Sequence, residues 1–315
     1  MNACHEDLTL WLDEDSDELI ILDQTKLPGK EETVSISTAR ALYDAIRTLQ
    51  VRGAPAIGVA AALGLYACAV RFEDETPEGF LYSLRKTKAF IASARPTAQN
   101  LFWALERIEK AADGGTIQEM LTHMRTEASA IFEEDIAICR AIGEHGLSLL
   151  KDGDTLLTHC NAGRLAAVKY GTALAPVYAG MERGMHFQVY ADETRPLLQG
   201  ARLTCYELHR AGADVTLLCD GMAARLMQEG KIDAVIVGCD RVARNYDFAN
   251  KTGTLSLAVN MRQIFRGAVL RGCAESDVRR RLRDRRRHRH RTEAGRRNNR
   301  RFLFRTDGAG GNRRL

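Results

Sequence analysis

No run in the 315 residues stays apolar over the ~20 positions a membrane-spanning helix needs, and no basic-then-apolar leader opens the chain. The first absence excludes a helical membrane span. The second predicts a cytoplasmic protein. The 8 cysteines are scattered without a single CxxC pair. That leaves no ligand spacing for a metal, so no metal site is expected, and most of the thiols read as reduced core residues. A Cys-His-Asn protease signature is also missing. The last absence is local, because residues 261–315 contain no Lys, Pro, Trp or Tyr.

The same segment holds 19 Arg against 5 Asp or Glu, an excess of 14 positive charges. The remaining 26 basic and 36 acidic residues leave 1–260 with an excess of 10 negative charges. The overall charge of +4 therefore hides a mildly acidic body joined to a strongly basic end. With 45% apolar and 27% charged residues, the body has the composition of a soluble globular protein. Its length suits two domains.

Residues 8–12 and 19–22 read as a small hairpin around an acidic turn. From Ser37 to about Leu150 apolar residues recur at helical spacing, with Pro77 and Pro96 as first-turn prolines. From about 151 the period changes. Strand candidates at 155–159, 186–190, 215–219 and 234–238 alternate with helix candidates at 164–181, 198–211, 221–229 and 250–260. The fold class is α/β, with a mostly helical N-terminal domain carrying a small sheet (1–148) and a Rossmann-like parallel-sheet domain (149–262). An atypical Arg-rich end (263–315) follows. Right-handed crossovers give the strand order 3-2-1-4 and make the first and fourth strands neighbours.

That order brings two reactive groups to one crevice, Cys160 after the first strand and Asp240 after the fourth. A helix start at Cys160 favours a thiolate, although among 8 cysteines a small buried one is the commoner case. His159 lies on the other face of the strand and is not paired with Cys160. Asp240 near apolar strand ends suits acid or base work, or else caps a helix. Arg52-Gly53-Ala54-Pro55 opens a small-residue helix through Leu65. Amides at a helix start attract anions and Gly admits a phosphate, but a tight turn before a buried helix needs the same residues. Arg95 is a second basic helix entry or an ordinary surface arginine. Gln199 offers a donor and an acceptor to a sugar hydroxyl, or sits in a capping region. Lys251, beside Asn250 at a helix start, suits a phosphate.

Taken together, these motifs resemble methylthioribose-1-phosphate isomerases, a family related to the regulatory subunits of eukaryotic translation initiation factor two B. The residues that carry the resemblance are Asp23-Gln24 with Leu27-Pro28, Val51 to Gly58, Arg95-Pro96-Thr97 and Cys160 to Gly163. Further matches are Tyr170 to Leu174, Glu193 to Gly200, Gly238 to Asp240, Asn250-Lys251 and Gly253-Thr254, collinear over about 15–260. The resemblance implies an aldose–ketose isomerase of methionine salvage that needs neither metal nor nucleotide cofactor and forms a homodimer. It implies Asp240 as proton donor and Cys160 as the second catalytic group. Substrate contacts fall to Arg52, Gly53, Ala54, Arg95, Gln199, Asn250 and Lys251. Ribose 1,5-bisphosphate or 5-deoxyribose 1-phosphate isomerases and a non-catalytic regulatory subunit are the alternatives.

Three departures stand out. Tyr246 replaces the family's usual Gly, Thr252 replaces an apolar residue, and the resemblance stops near Gln263. Abrupt loss of pattern, with Arg but no Lys, is what a shifted reading frame produces. The rival is a basic tail that binds nucleic acid. The shift predicts that another frame of the encoding nucleotides over 261–315 reads as apolar strands. If no other frame does, the idea fails.

Overall fold

The computed structural model describes residues 7–245, 247–265 and 269–271. Tyr246 and, apart from residues 263–265 and Val269–Arg271, the Arg-rich end with both its readings lie outside the described residues. The chain forms two compact units, one of residues up to 141 together with 162–175, the other of 142–161 and the residues from 176 onward.

In the first unit the expected hairpin is present as β1 (Leu10–Asp13) and β2 (Glu18–Leu22), and an unforeseen third strand, β3 (Thr33–Ile36), completes an antiparallel sheet. The pairings Leu10↔Ile21 and Leu19↔Ile36 put four buried side chains into the core. The helical stretch resolves into α1 (Ala39–Arg47), α2 (Ala54–Ala69), α3 (Pro77–Ala92), α4 (Gln99–Ala111) and α5 (Ile117–Leu147). Pro77 does open α3, where the Thr76 hydroxyl accepts the Gly79 N–H at 3.2 Å. Pro96 does not open a helix. It lies in a turn, and α4 starts three residues later. Every residue of α2 from Ala56 to Ala69 is buried, so its Ala and Gly residues let neighbouring elements approach on all sides.

Residues 164–181 do not form the expected single helix. A three-residue 3₁₀ turn, Arg164–Ala166, is followed by irregular chain with left-handed backbone at Tyr170 and Gly171, and α6 begins only at Ala175 (Ala175–Met181). Packing overrides periodicity here. The backbone of 162–175 is tied into the first unit by Thr9 Oγ1 to the Arg164 carbonyl at 3.0 Å and by Gln24 Nε2 to the Leu165 carbonyl at 2.7 Å. The Asp135 carboxylate on α5 accepts the Val168 N–H at 2.9 Å.

The second unit contains a five-stranded parallel sheet. Its strands are β4 (Thr155–Thr158), β5 (Gln188–Asp192), β6 (Asp214–Leu218), β7 (Ala234–Val237) and β10 (Val269–Arg271). The sheet order is β10-β7-β4-β5-β6. The expected neighbours are therefore adjacent, with Leu157 opposite Val235. The helices are α7 (Cys205–Arg210), preceded by a π turn at Gly200–Thr204, α8 (Ala223–Gln228) and α9 (Thr254–Phe265). A two-stranded ribbon, β8 (Arg241–Val242) with β9 (Phe248–Ala249), follows β7. Leu157, Val235 and Val237 pack with Met227, Leu257 and Met261 in one apolar cluster. No described helix is long and apolar enough to cross a membrane.

Asp135 generates a test. Desolvation lifts its pKa from 3.8 to about 6, against the single bond from Val168. Because the folded pKa lies above the unfolded one, the ionised carboxylate costs stability, and the cost grows as pH rises from ~4 to ~6. Asp135→Asn keeps an acceptor for the Val168 N–H and removes the charge. The variant is expected to be more stable than the parent at pH 7.5 by roughly 1–2 kcal/mol, with the gap closing near pH 4. Denaturant unfolding at both pH values measures this, and a gap that does not change with pH overturns it.

Candidate active site

All strands of the parallel sheet end at one edge, and the second unit's candidate residues follow those ends. Cys160 lies two residues beyond β4, Asp240 three beyond β7 and Asp220 two beyond β6, while Asp192 is the last residue of β5. Because β4 pairs with both β5 and β7, the thiol and the Asp240 carboxylate leave adjacent strands.

Cys160 is half-buried in a left-handed backbone conformation (φ 67°), uncommon for a non-glycine residue. Both of its backbone groups are held. The N–H donates to Thr194 Oγ1 at 2.8 Å, and the carbonyl accepts Thr204 Oγ1 at 2.7 Å. Thr194 is itself left-handed (φ 63°), and its N–H donates to Asp220 Oδ1 at 2.8 Å. The other Asp220 oxygen takes the Arg195 N–H at 2.8 Å. Next to Cys160, the buried Asn161 amide donates to Thr204 Oγ1 at 3.1 Å and to Glu207. No α-helix begins at Cys160, so the helix-start argument for a thiolate does not hold.

His159, set aside in the sequence, is buried and bonded at both ring nitrogens. Nδ1 lies 2.8 Å from Asp192 Oδ2 and Nε2 lies 2.8 Å from the Thr252 carbonyl. A carbonyl only accepts, so Nε2 carries a proton. The contact between Nδ1 and the carboxylate needs a second one. Burial opposes the imidazolium, but the bonds to Asp192 and Thr252 outweigh it and raise the His159 pKa. Burial raises that of Asp192, partly offset by His159. Both directions favour a pair that keeps its shared proton. His159, Asp192 and Asp220 bring ligand-type atoms within 4.8 Å of one another. An ion there would have to displace the bonds just described.

The remaining predicted residues fall into two sets. In the second unit, Gln199 is buried ahead of the π turn. Asp240 is exposed rather than enclosed by apolar strand ends, and its N–H donates to the Ala249 carbonyl at 2.9 Å. Asn250 Nδ2 donates to Thr254 Oγ1 at 2.9 Å, across the turn that carries Lys251 and opens α9. The unusual Thr252 has an exposed side chain, while its carbonyl makes the bond to His159. In the first unit, Arg52, Gly53 and Ala54 form the entry to α2, and Arg95 precedes α4. The starts of these helices lie together, since a Cβ on Gly58 would come within 3.2 Å of Asn100. Gly53 (φ 90°) is required whether or not a ligand binds, because a Cβ there would sit 2.3 Å from the Ala166 carbonyl oxygen.

Residues 50–283 match the description "Initiation factor 2 subunit family". The chain belongs to the initiation factor 2 subunit family. The match runs past Gln263, where the resemblance was expected to end. Within the family, the chain is 56% identical to a methylthioribose-1-phosphate isomerase of Parabacteroides distasonis, over 78% of this chain and 74% of the relative. It is 53% identical to a 5-deoxyribose 1-phosphate isomerase of Petrotoga mobilis, over 79% of this chain and 72% of that one. The crystal structure of 5-methylthioribose 1-phosphate isomerase from Pyrococcus horikoshii matches with a TM-score of 0.80 at 38% identity, covering 85% of this chain and 74% of that one. The same family description spans translation-factor subunits, so family membership alone does not specify chemistry.

The signal that leads to His159 lies in the strand pairing and not in the sequence. β4 and β5 are in register through Thr158↔Ala191, so His159, the residue after β4, falls opposite Asp192, the last residue of β5. The clamp on Cys160 also predicts a stability effect. Thr194→Val keeps the shape but removes the acceptor of the Cys160 N–H, and is expected to cost about 1–3 kcal/mol in denaturant unfolding. Thr194→Ser keeps the hydroxyl and is expected to cost less than about 1 kcal/mol. A Val variant as stable as the Ser variant contradicts the clamp.

Proposed function

We propose that the chain is an aldose–ketose isomerase converting 5-methylthioribose 1-phosphate to 5-methylthioribulose 1-phosphate, a step of methionine salvage. The observation that carries this reading is a thiol and a carboxylate leaving adjacent parallel strands in a chain 56% identical, over 249 residues, to a methylthioribose-1-phosphate isomerase. The presence of Cys160 and Asp240 together with Arg52, Arg95, Gln199 and Lys251 favours an enzyme over a purely regulatory subunit, which has no use for that set.

The chemistry suits the residue types. A phosphate on the anomeric carbon prevents ordinary opening to a free aldehyde. Breaking the bond between C1 and the ring oxygen therefore needs a proton on that oxygen, and Asp240 is assigned as its donor. The hydrogen on C2 then moves to C1 while the C2 hydroxyl gives up its proton to become the ketone, which replaces the proton taken by the ring oxygen. Cys160 is assigned to assist this transfer. Arg52 and Lys251 supply positive charge for the phosphate, with the backbone of Gly53 and Ala54 at the start of α2. Arg95, Gln199 and Asn250 complete the assigned substrate contacts. A cytoplasmic homodimer is part of the same reading. All six described cysteines are free thiols, and Leu255 and Val259 on α9 are exposed apolar residues that a second subunit would cover.

A second reading, 5-deoxyribose 1-phosphate as substrate, is favoured by the Petrotoga mobilis relative. The two sugars differ only at C5, so one assay series separates them. The purified chain is expected to turn over the methylthio sugar with the higher kcat/KM. Cys160→Ala and Asp240→Asn are each expected to lose about 10²-fold or more. A preference for the deoxy sugar selects the second reading. A folded protein that turns over neither sugar overturns both.

A further inference from the structure

Three features of the second unit converge on one imidazole. First, His159 is 2% exposed and saturated at both nitrogens, with Asp192 on Nδ1 and the Thr252 carbonyl on Nε2. Second, Gly253 packs directly against the ring. Its backbone is left-handed (φ 111°), and a Cβ there would come within 2.6 Å of both Cε1 and Nε2. Third, the turn held in this way is the one that presents Asn250 and Lys251 and starts α9, with Thr254 N–H to the Lys251 carbonyl at 3.1 Å and Leu257 N–H to the Gly253 carbonyl at 3.2 Å. On its other side His159 is covalently joined to Cys160.

We propose that His159 is a positioning residue, whose ring, braced by Asp192, fixes the Asn250–Thr254 turn against the strand end that carries Cys160. This rests on the isomerase reading above, which gives Asn250 and Lys251 their substrate. The physical argument is one of reach. A turn of irregular backbone holding a cation has no ladder of its own, so its place depends on its anchors. The imidazole bonds the turn's backbone rather than its side chains, which is why the departure at Thr252 leaves the link intact. Asp192 supplies the second requirement. An unbraced ring would turn about its Cβ–Cγ bond, and the carboxylate removes that freedom. The raised pKa values of both partners agree with a pair that stays protonated and keeps Nε2 a donor.

The test uses the full chain with His159→Ala, His159→Asn and His159→Gln. An Asn amide replaces Nδ1 and reaches only Asp192, whereas a Gln amide replaces Nε2 and reaches the Thr252 carbonyl. Two readouts are taken on each variant, KM against kcat for the sugar phosphate, and amide hydrogen exchange over 250–257. The Ala and Asn variants are expected to speed exchange at Thr254 and Leu257 and to raise KM about tenfold, with kcat changed less than about threefold. The Gln variant is expected to restore both. An Asn variant like wild type beside a Gln variant like Ala overturns the proposal. So do variants that lose kcat with KM and exchange unchanged, because that marks a chemical role.

Imidazole ¹⁵N NMR of the wild-type protein judges the anchor without any variant. Nε2 is expected to carry a proton that exchanges slowly with solvent, and an unprotonated or freely exchanging Nε2 overturns the proposal even where the variants fail to fold. If wild type turns over neither sugar, the isomerase reading fails, while the exchange and NMR results still decide whether His159 holds the turn.

Discussion

The central strand β4, paired in parallel with β5 on one side and β7 on the other, is the constraint on which the chemistry of the second unit depends. Parallel pairing sends the carboxyl ends of all three strands to one edge, and the order of the sheet makes the chain segments after them neighbours. Cys160, the Asp192–Thr194 corner and Asp240 follow those three ends. The middles of these three strands are apolar and buried at Leu156, Leu157, Val189, Ala191 and Ala234 to Val237, so hydrophobic burial sets their pairing while the groups at and beyond the edge carry polar chemistry.

Beyond that edge, backbone hydrogen bonds to side chains replace the regularity of the sheet. Thr194 and Thr204 hold the two backbone groups of Cys160, Asp220 holds two successive amides of the 194–195 corner, and His159 holds the Thr252 carbonyl. Left-handed residues cluster in the same places, at Cys160, Thr194, Leu198 and Gly253. Such conformations persist only where surrounding bonds over-determine them. Close approach of backbones does similar work at Gly200, where a Cβ would fall 1.7 Å from the Asp192 carbonyl oxygen. An isomerase and a regulatory subunit could both be built on the same edge, which is why the functional proposal rests on the identity of these particular side chains.

Much of the fold was legible in the chain. The change from helical spacing to short apolar runs near residue 151 marked the parallel sheet, and handedness rules gave its order. Thr76-Pro77 marked a helix start, and Arg52-Gly53-Ala54-Pro55 marked another. Residues 164–181 misled because the apolar spacing up to residue 175 reflects packing of an irregular segment within the first unit rather than a helix face. The short strand β3 alternates in polarity as a half-buried strand does, but at four residues it was too short to stand out before its pairing with β2 was known.

The sequence by itself determined the inventory of reactive groups and the strand ends they follow, because those depend on local order along the chain. It also carried the collinear motifs that identify the family. Only the tertiary structure decided what each group touches. Sequence alternation placed His159 on the far side of the strand from Cys160, and nothing local showed that a carboxylate from β5 and a carbonyl ninety-three residues onward would meet its ring. Likewise Asp240 is exposed, and the Cys160 turn lacks a helix, because burial and hydrogen bonding at a strand end are set by neighbouring elements and not by the residues beside them in sequence.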